Sequence, residues 1–258
     1  MVTLDLSDSF CDLYRVQANL TAYDDTFQIV KAYSCDERGA FVKDTALEQE
    51  ALKIRYDAYC AEHDFEPDNQ FGIESDEYDD RALMSLVRHK PTGKYVATVR
   101  FIPPKDGDDF DFPTIRACEQ MCPQLSINSS HCAEISRLCI SRARLHDADM
   151  SKQEASMVFP ALLTASFSVS TDLKVSHWLG CMETPLIKRL KRFYNIDLDW
   201  VGDGFEHHGT RSPFITKFDT IDRSLHERHT ILRDIIDFEH ARGITWGYTS
   251  SSLNFGLS

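Results

Sequence analysis

The sequence contains no run of about 18 apolar residues, so no membrane-spanning helix is expected. Its opening, MVTLDLSDSF, lacks the basic patch and apolar stretch of a secretory signal, and none is expected. Basic residues are scarce: 28 Lys and Arg stand against 41 Asp and Glu, for a net charge of −13. A surface of that sign argues against non-specific nucleic-acid binding, although a local basic face remains open. Eight cysteines are scattered without small-domain spacing, which points to reduced thiols and a cytoplasmic location. Cys118 and Cys122 have no second pair or histidine near them, and His207 and His208 have no further ligands. No metal site is expected. Repeats and low-complexity segments are also missing.

What is present is enough for a substantial core: 258 residues, 42% hydrophobic and 11% aromatic. Residues 5–20 have the pattern of a short amphipathic helix, and TFQIVKAY (26–33) alternates like a strand. Asp44 is placed to cap a helix running to about His63, with Leu47, Ala51, Ile54 and Ala58 on one face. ALMSLVRH (82–89) and YVATVRFIP (95–103) flank the turn PTGK and form a hairpin. FPTIRACEQMC reads as a helix with Pro113 in its first turn, and residues 132–141 as a strand. Ser151 and Glu154 make a capping box for a helix over 151–167. A strand at 175–183, a helix at 185–194 and shorter strands within 197–218 follow. A helical tail from Thr220 to Arg242 stops at Gly243. This order fits an α/β (α+β) fold with a mixed central sheet and helices on both faces.

The charged residues are oddly placed. Arg55 lies among the apolar positions of the long helix, Arg100 interrupts the apolar strand VATVRFI, and Glu134 and Arg137 occupy a strand of small and apolar residues. Buried charges need partners, and the run ESDEYDD (74–80) supplies carboxylates. An exposed ion pair contributes only about 0–1 kcal/mol. A buried pair costs several kcal/mol in desolvation. A functional site explains such placement better than stability does, with a structural polar network as the alternative.

The series Arg55…Tyr59…ESDEYDD…TGKYVATVRFIPP…EISRLCIS resembles the acyl-homoserine-lactone autoinducer synthases and their relatives, the N-acyl amino acid synthases. Within that group it is most similar to acyltransferases associated with the PEP-CTERM/exosortase system, where IRYDAYCAEHDFEP, SHWLGCMETPLIKRLKRF and HHGTRSPFI are also at home. The resemblance spans about residues 45–218 and implies a GNAT-like acyl-CoA N-acyltransferase fold. It places such a domain in residues 1–219, with 220–258 as a C-terminal helical extension. It further implies that Arg55, Asp76, Asp79, Arg100, Glu134 and Arg137 line the substrate site. Tyr59 takes an aromatic position beside them, and Glu134 helps deprotonate the attacking amine. The loop HDFEPDNQFGIESD carries Phe65 and Phe71 but no tryptophan, unlike the synthases that use S-adenosylmethionine. An amino acid or another small amine is the expected acceptor, with S-adenosylmethionine as the alternative. A non-catalytic protein that has kept the fold is the third reading.

The implied chemistry is attack of a neutral amine on an acyl thioester, with an oxyanion held by backbone N–H groups near residues 137–141. Asp76 and Asp79 are expected to hold the arginines and the substrate ammonium, and Arg100 to receive a substrate carboxylate. SRARLHDADMSKQEAS (141–156) contains no glycine, so a tight pyrophosphate cradle is not expected there. The phosphopantetheine arm of an acyl carrier protein is the expected acyl donor, without another cofactor. Carrier proteins are acidic; Arg142, Arg144, Lys152, Lys188, Arg189, Lys191 and Arg192 are the candidate docking cations. Met157, Phe159, Leu162, Leu163 and Phe167 are candidates for an acyl slot, with core packing the expected role for most. His177 and Trp178 are read as core residues.

Overall fold

A computed structural model describes residues 19–105, 110–118, 129–201, 204–206, 209–228 and 230–243. A helical segment over 19–26 leads into β1 (Phe27–Lys31), followed by a small ladder of β2 (Tyr33–Cys35) and β3 (Phe41–Lys43). The expected strand over 26–33 is therefore divided at Ala32, whose N–H and carbonyl bond to Met84 and Asp44. Helix α1 (Thr45–Tyr56) starts where Asp44 accepts from the N–H groups of Ala46 and Leu47, and its last turn widens into a π-helix over Asp57–Glu62. Next come β4 (Leu83–His89), β5 (Tyr95–Ile102), α2 (Pro113–Ala117), β6 (Cys132–Ile140), α3 (Arg142–Asp147) and α4 (Lys152–Leu173). The chain continues through β7 (His177–Glu183), α5 (Thr184–Tyr194), β8 (Phe205–Glu206), β9 (Thr210–Lys217), α6 (Phe218–Glu227) and α7 (Ile231–Ala241).

Among the described residues seven strands form one sheet in the order β1-β4-β5-β6-β7-β9-β8, in which only β6 and β7 run parallel. Helices α1 and α2 cover one face; α4 packs across β1, β4, β5 and β6 on the other. The capping box of Ser151 and Glu154 opens α4, which runs six residues beyond its expected end. The extension SVSTDL is rich in polar side chains, and buried hydroxyls bond back one turn, Ser166 to Leu162 and Ser170 to Ser166. Those bonds satisfy the polar groups and let the helix continue through the core. Trp178 is buried against Phe101, Phe167 and Phe218, with its N–H on Ser170.

The tail forms two helices instead of one, because Thr230 breaks the run and caps α7 through its side chain. Phe218, Ile221, Leu225, Leu232, Ile235 and Ile236 join the core under α4. Glu239 accepts a buried bond of 2.8 Å from the Tyr23 hydroxyl. Gly243 stands at the end of α7 with φ +73°, a conformation suited to glycine. The expected helix over 5–20 lies mostly outside the described residues. No helix among the described residues is long and apolar enough to cross a membrane.

Candidate active site

The parallel pairing of β6 and β7 lasts only three residues, from Cys132↔His177 to Glu134↔Leu179. At the next step the strands are still close: a Cβ on Gly180 would meet the Ile135 carbonyl at 2.7 Å. Beyond this point β6 and β7 diverge, and a cavity of about 500 Å³ fills the opening. Residues 134–140 of β6 all line it. Because successive side chains of a strand point to opposite faces, this places the cavity along the free edge of β6 and through the sheet.

Opposite that edge, β6 carries a bulge against β5. Thr98 pairs with Cys139 and Arg100 with Ser136, so Val99 faces both Arg137 and Leu138. Arg137 has φ +49°, in the left-handed region that a side chain of this size rarely adopts. On a regular strand, residues three apart face opposite sides. The bulge changes the phase, so Glu134 and Arg137 both face the α1–α2 side.

The acidic run resolves on that side. Glu77–Asp80 is a short 3₁₀ turn in which Asp76 and Asp79 cap one another's backbone. Glu74, Asp76 and Asp79 turn inward; Glu77 stays exposed and pairs with Arg116. Arg55 is fully buried, donating to Glu74 at 2.5 Å and Asp79 at 2.7 Å. Arg100, 1% exposed, donates to Asp76 at 2.6 Å, Asp79 at 2.8 Å and Ser136 at 3.1 Å. Arg137 reaches Glu74 at 3.0 Å and Asp76 at 3.5 Å, with its guanidinium 5.5 Å from the Tyr59 ring centre. Burial alone would raise the Glu74 and Asp79 carboxyls, but the arginines reverse this and hold both below their ordinary values.

Three arginines thus meet Glu74, Asp76 and Asp79 through hydrogen bonds, and Glu66 adds a fourth carboxylate 3.8 Å from Arg137, so the arginine charges are answered within the protein. This bears on two expectations. Arg100, expected to receive a substrate carboxylate, is 1% exposed and outside the cavity lining, held by Asp76, Asp79 and Ser136 with its Nη2 left without a partner among the described residues. Glu74, not among the expected site residues, is the main partner of both Arg55 and Arg137, beside the expected Asp76 and Asp79. Its only sequence signal was its place at the head of ESDEYDD; what aims it inward is a bond from its N–H to the Leu52 carbonyl of α1.

Glu134 lies next to this network and outside its ion pairs. It is 2% exposed, accepts the Thr114 N–H at 2.9 Å and lines the cavity. Burial pushes its carboxyl up to about 7, against the hydrogen bonds of Thr114 and the charges of Arg100 and Arg137. A carboxyl poised there can take a proton near neutral pH. The facing wall is formed by Tyr59, His63, Phe65 and Glu66 from α1 and the loop after it. Phe71, the other aromatic of that loop, is 73% exposed and outside the lining. Leu138, Ile140, Phe159 and Leu186 give the cavity an apolar side. Of the five α4 candidates for an acyl slot only Phe159 lines it; Met157, Leu162, Leu163 and Phe167 are core.

The candidate docking cations fall into different settings. Arg144 is paired with Glu50 and Asp57, which makes it part of the α1–α3 packing. Lys191 is exposed but tied to Asp197 at 2.6 Å. Arg142, Lys152, Lys188, Arg189 and Arg192 are exposed, and Arg189 also lines the cavity. At the start of α3 the chain supplies its own anion. The Glu62 carboxylate accepts from the Ser141 hydroxyl at 2.8 Å and from the N–H groups of Arg142 and Ala143 at 3.0 Å. Among the described residues no group of three His, Cys, Asp or Glu could hold a metal. Cys122, His207 and His208 lie outside them.

Residues 54–150 match the acetyltransferase (GNAT) domain. No curated protein sequence matches the chain. Among solved structures, the AHL synthase LasI is similar with a TM-score of 0.56 and 15% identity, over 78% of this chain and 95% of that one. The CoA-dependent acyl-homoserine lactone synthase MesI is similar at 0.50 and 20%, over 72% and 91%. BjaI, a CoA-dependent acyl-homoserine lactone synthase with SAM and isopentyl-CoA, is similar at 0.54 and 15%, over 83% and 99%. At these identities the likeness is one of fold, and with the domain match it supports an acyltransferase. The chain has the GNAT-like acyltransferase fold, a largely antiparallel seven-stranded sheet opened between its two parallel strands.

Proposed function

We propose that the protein is an N-acyltransferase that moves a fatty acyl group from the phosphopantetheine arm of an acyl carrier protein to the amino group of an amino acid or similar small amine. The observation that carries this reading is the buried Glu134 carboxyl, raised to about 7, in the wall of the cavity between β6 and β7. Glu134 takes a proton from the acceptor ammonium, directly or through water, and the neutral amine attacks the thioester carbonyl. Backbone N–H groups along the open edge of β6 hold the oxyanion, each contributing about 3–4 kcal/mol in well-studied cases. Collapse of the intermediate forms the amide and releases the thiol of the arm. Arg137 acts beside this centre, while Arg55, Arg100, Asp76 and Asp79 keep Arg137 and the bulge in place.

Two features favour a carrier protein as donor. The stretch after β6 has no glycine, and its first N–H donors bind Glu62 instead of a phosphate. Lys188, Arg189 and Arg192 on α5 present a basic face whose Arg189 reaches the cavity. The motif resemblance to exosortase-associated acyltransferases fits this reading, with the enzyme placed in the cytoplasm beside its donor. The second reading is an acyl-homoserine-lactone synthase using S-adenosylmethionine, favoured by the fold likeness to such synthases. Untargeted lipid mass spectrometry of cells expressing the wild type or Glu134→Gln separates them. A new N-acyl amino acid that disappears in the variant supports the proposal; an acyl-homoserine lactone supports the alternative. No new amide with any donor or acceptor defeats both.

A further inference from the structure

The charged network uses acids of ESDEYDD and leaves its tyrosine unexplained. Tyr78 sits buried in the 3₁₀ turn, with the guanidinium groups of Arg81 and Arg116 5.7 Å and 5.1 Å from its ring centre. It belongs to a small apolar cluster with Ile102 of β5, Cys132 of β6, Leu179 of β7, and Phe112 and Ile115 around the start of α2. Three of these residues surround Glu134. Ile102 and Leu179 are its direct partners on the neighbouring strands, and Cys132 stands two residues earlier on the same face of β6. Thr114, whose N–H bonds to Glu134, lies between Phe112 and Ile115 in the chain. Glu134 lines the cavity and Tyr78 does not, which puts the tyrosine behind the carboxyl. The Tyr78 hydroxyl is buried and has no hydrogen-bond partner among the described residues. Phenylalanine would fill the cluster and face the arginines equally well, so the hydroxyl itself needs a purpose.

The reaction supplies one. An ammonium loses two N–H protons on becoming an amide; the departing thiol keeps one, and the other passes through Glu134 to solvent. Glu134 must therefore be ionised again before each turnover, in a place where burial favours its protonated form. Thr114 of α2, Arg100 of β5 and Arg137 of its own strand favour the ionised form. The Cys181 thiol on β7, pushed up to about 12 by burial, stays neutral beside it. We propose that Tyr78 is a positioning residue for Glu134, its hydroxyl donating through one shared water to the ionised carboxylate. This rests on the acyl-transfer reading and adds a residue to it. Burial raises the Tyr78 phenol above its ordinary value, opposed by Arg116 and helped by the charges of Asp111, Glu77 and Glu134. It therefore remains an O–H donor wherever Glu134 titrates. A donor aimed at the charged form favours ionisation, and a bridging water serves nearly as well as a direct bond.

The test compares the full-length wild type with Tyr78→Phe, using a palmitoyl-charged acyl carrier protein and leucine. The rising limb of kcat is expected near pH 7 in the wild type. In the variant it is expected to move up by about half a unit to one unit, so that the rate below the limb falls about 3- to 10-fold, the worth of one hydrogen bond. Neither KM is expected to change, because Tyr78 lies outside the cavity lining. Infrared difference spectroscopy reads the same titration without substrate. The protonated Glu134 carboxyl gives a C=O band, assigned by its loss in Glu134→Gln, and in Tyr78→Phe that band is expected to persist to higher pH. An infrared titration that does not move, or a kinetic limb that does not follow it, overturns the inference and leaves acyl transfer intact. If the wild type forms no amide at all, the acyl-transfer reading fails. The infrared titration alone then decides whether Tyr78 holds Glu134: a shift in Tyr78→Phe supports the contact, and an unmoved band refutes it.

Discussion

Replacing Glu134 by glutamine keeps an acceptor for the Thr114 N–H and removes only the titration. A carboxyl held at about 7 instead of its ordinary 4.5 destabilises the fold by about 3 kcal/mol once ionised. The pH window follows from the direction of the shift. Below about 4.5 the group is protonated in folded and unfolded chains alike, and the raised value contributes in full. As pH rises toward 7 the unfolded chain ionises first, and wild-type stability falls relative to the variant. Above about 7 the difference levels off. Urea unfolding of both proteins between pH 4.5 and 8.5 is expected to show the variant gaining about 3 kcal/mol over the wild type across that window. The other carboxylates titrate in both proteins and cancel in the comparison. The same substitution is expected to lower amide formation by about 100- to 10,000-fold and remove a rising limb centred near pH 7. A stability difference that stays constant with pH would refute the burial argument for Glu134, and retained activity would refute its role as base.

Arg55→Ala leaves Glu74 and Asp79 short of a partner in a buried setting, and chemical denaturation is expected to show a loss of about 3–5 kcal/mol. Gly180→Ala drives a methyl against the Ile135 carbonyl and the Phe214 ring where β6 and β7 begin to part. A loss of about 1–3 kcal/mol in thermal or urea unfolding is expected, with reduced amide formation as the gap shifts. Lys188→Glu with Arg189→Glu is expected to raise the apparent KM for acyl carrier protein and flatten its salt dependence. Unchanged steady-state kinetics would remove α5 as the docking face.

Most elements are readable in the chain because their signals are local. Asp44 and Ser151 cap the helices they precede, and the 82–103 hairpin follows from alternation around PTGK. Local signals misled where side chains rescued the backbone, as in the buried hydroxyls that carry α4 to Leu173, or where one residue interrupted a run, as at Thr230. The arginines at apolar positions were a correct sign of a buried charged network, since such residues cannot be buried alone. The sign was silent about which carboxylate each would meet. Arg211 and Phe65 are 146 positions apart in the chain, and only the tertiary fold brings guanidinium and ring to 6.0 Å.

By itself the sequence determined the order of helices and strands and the need for internal carboxylate partners, because periodicity, capping and desolvation act on each residue and its near neighbours. The tertiary structure decided the rest. Packing of α1 against the loop at Glu74 chose which acids turn inward, and the bulge at Arg137 brought it onto the face of Glu134. The parting of β6 from β7 after Gly180 opened the cavity. These depend on contacts between distant parts of the chain, whose geometry no local pattern encodes.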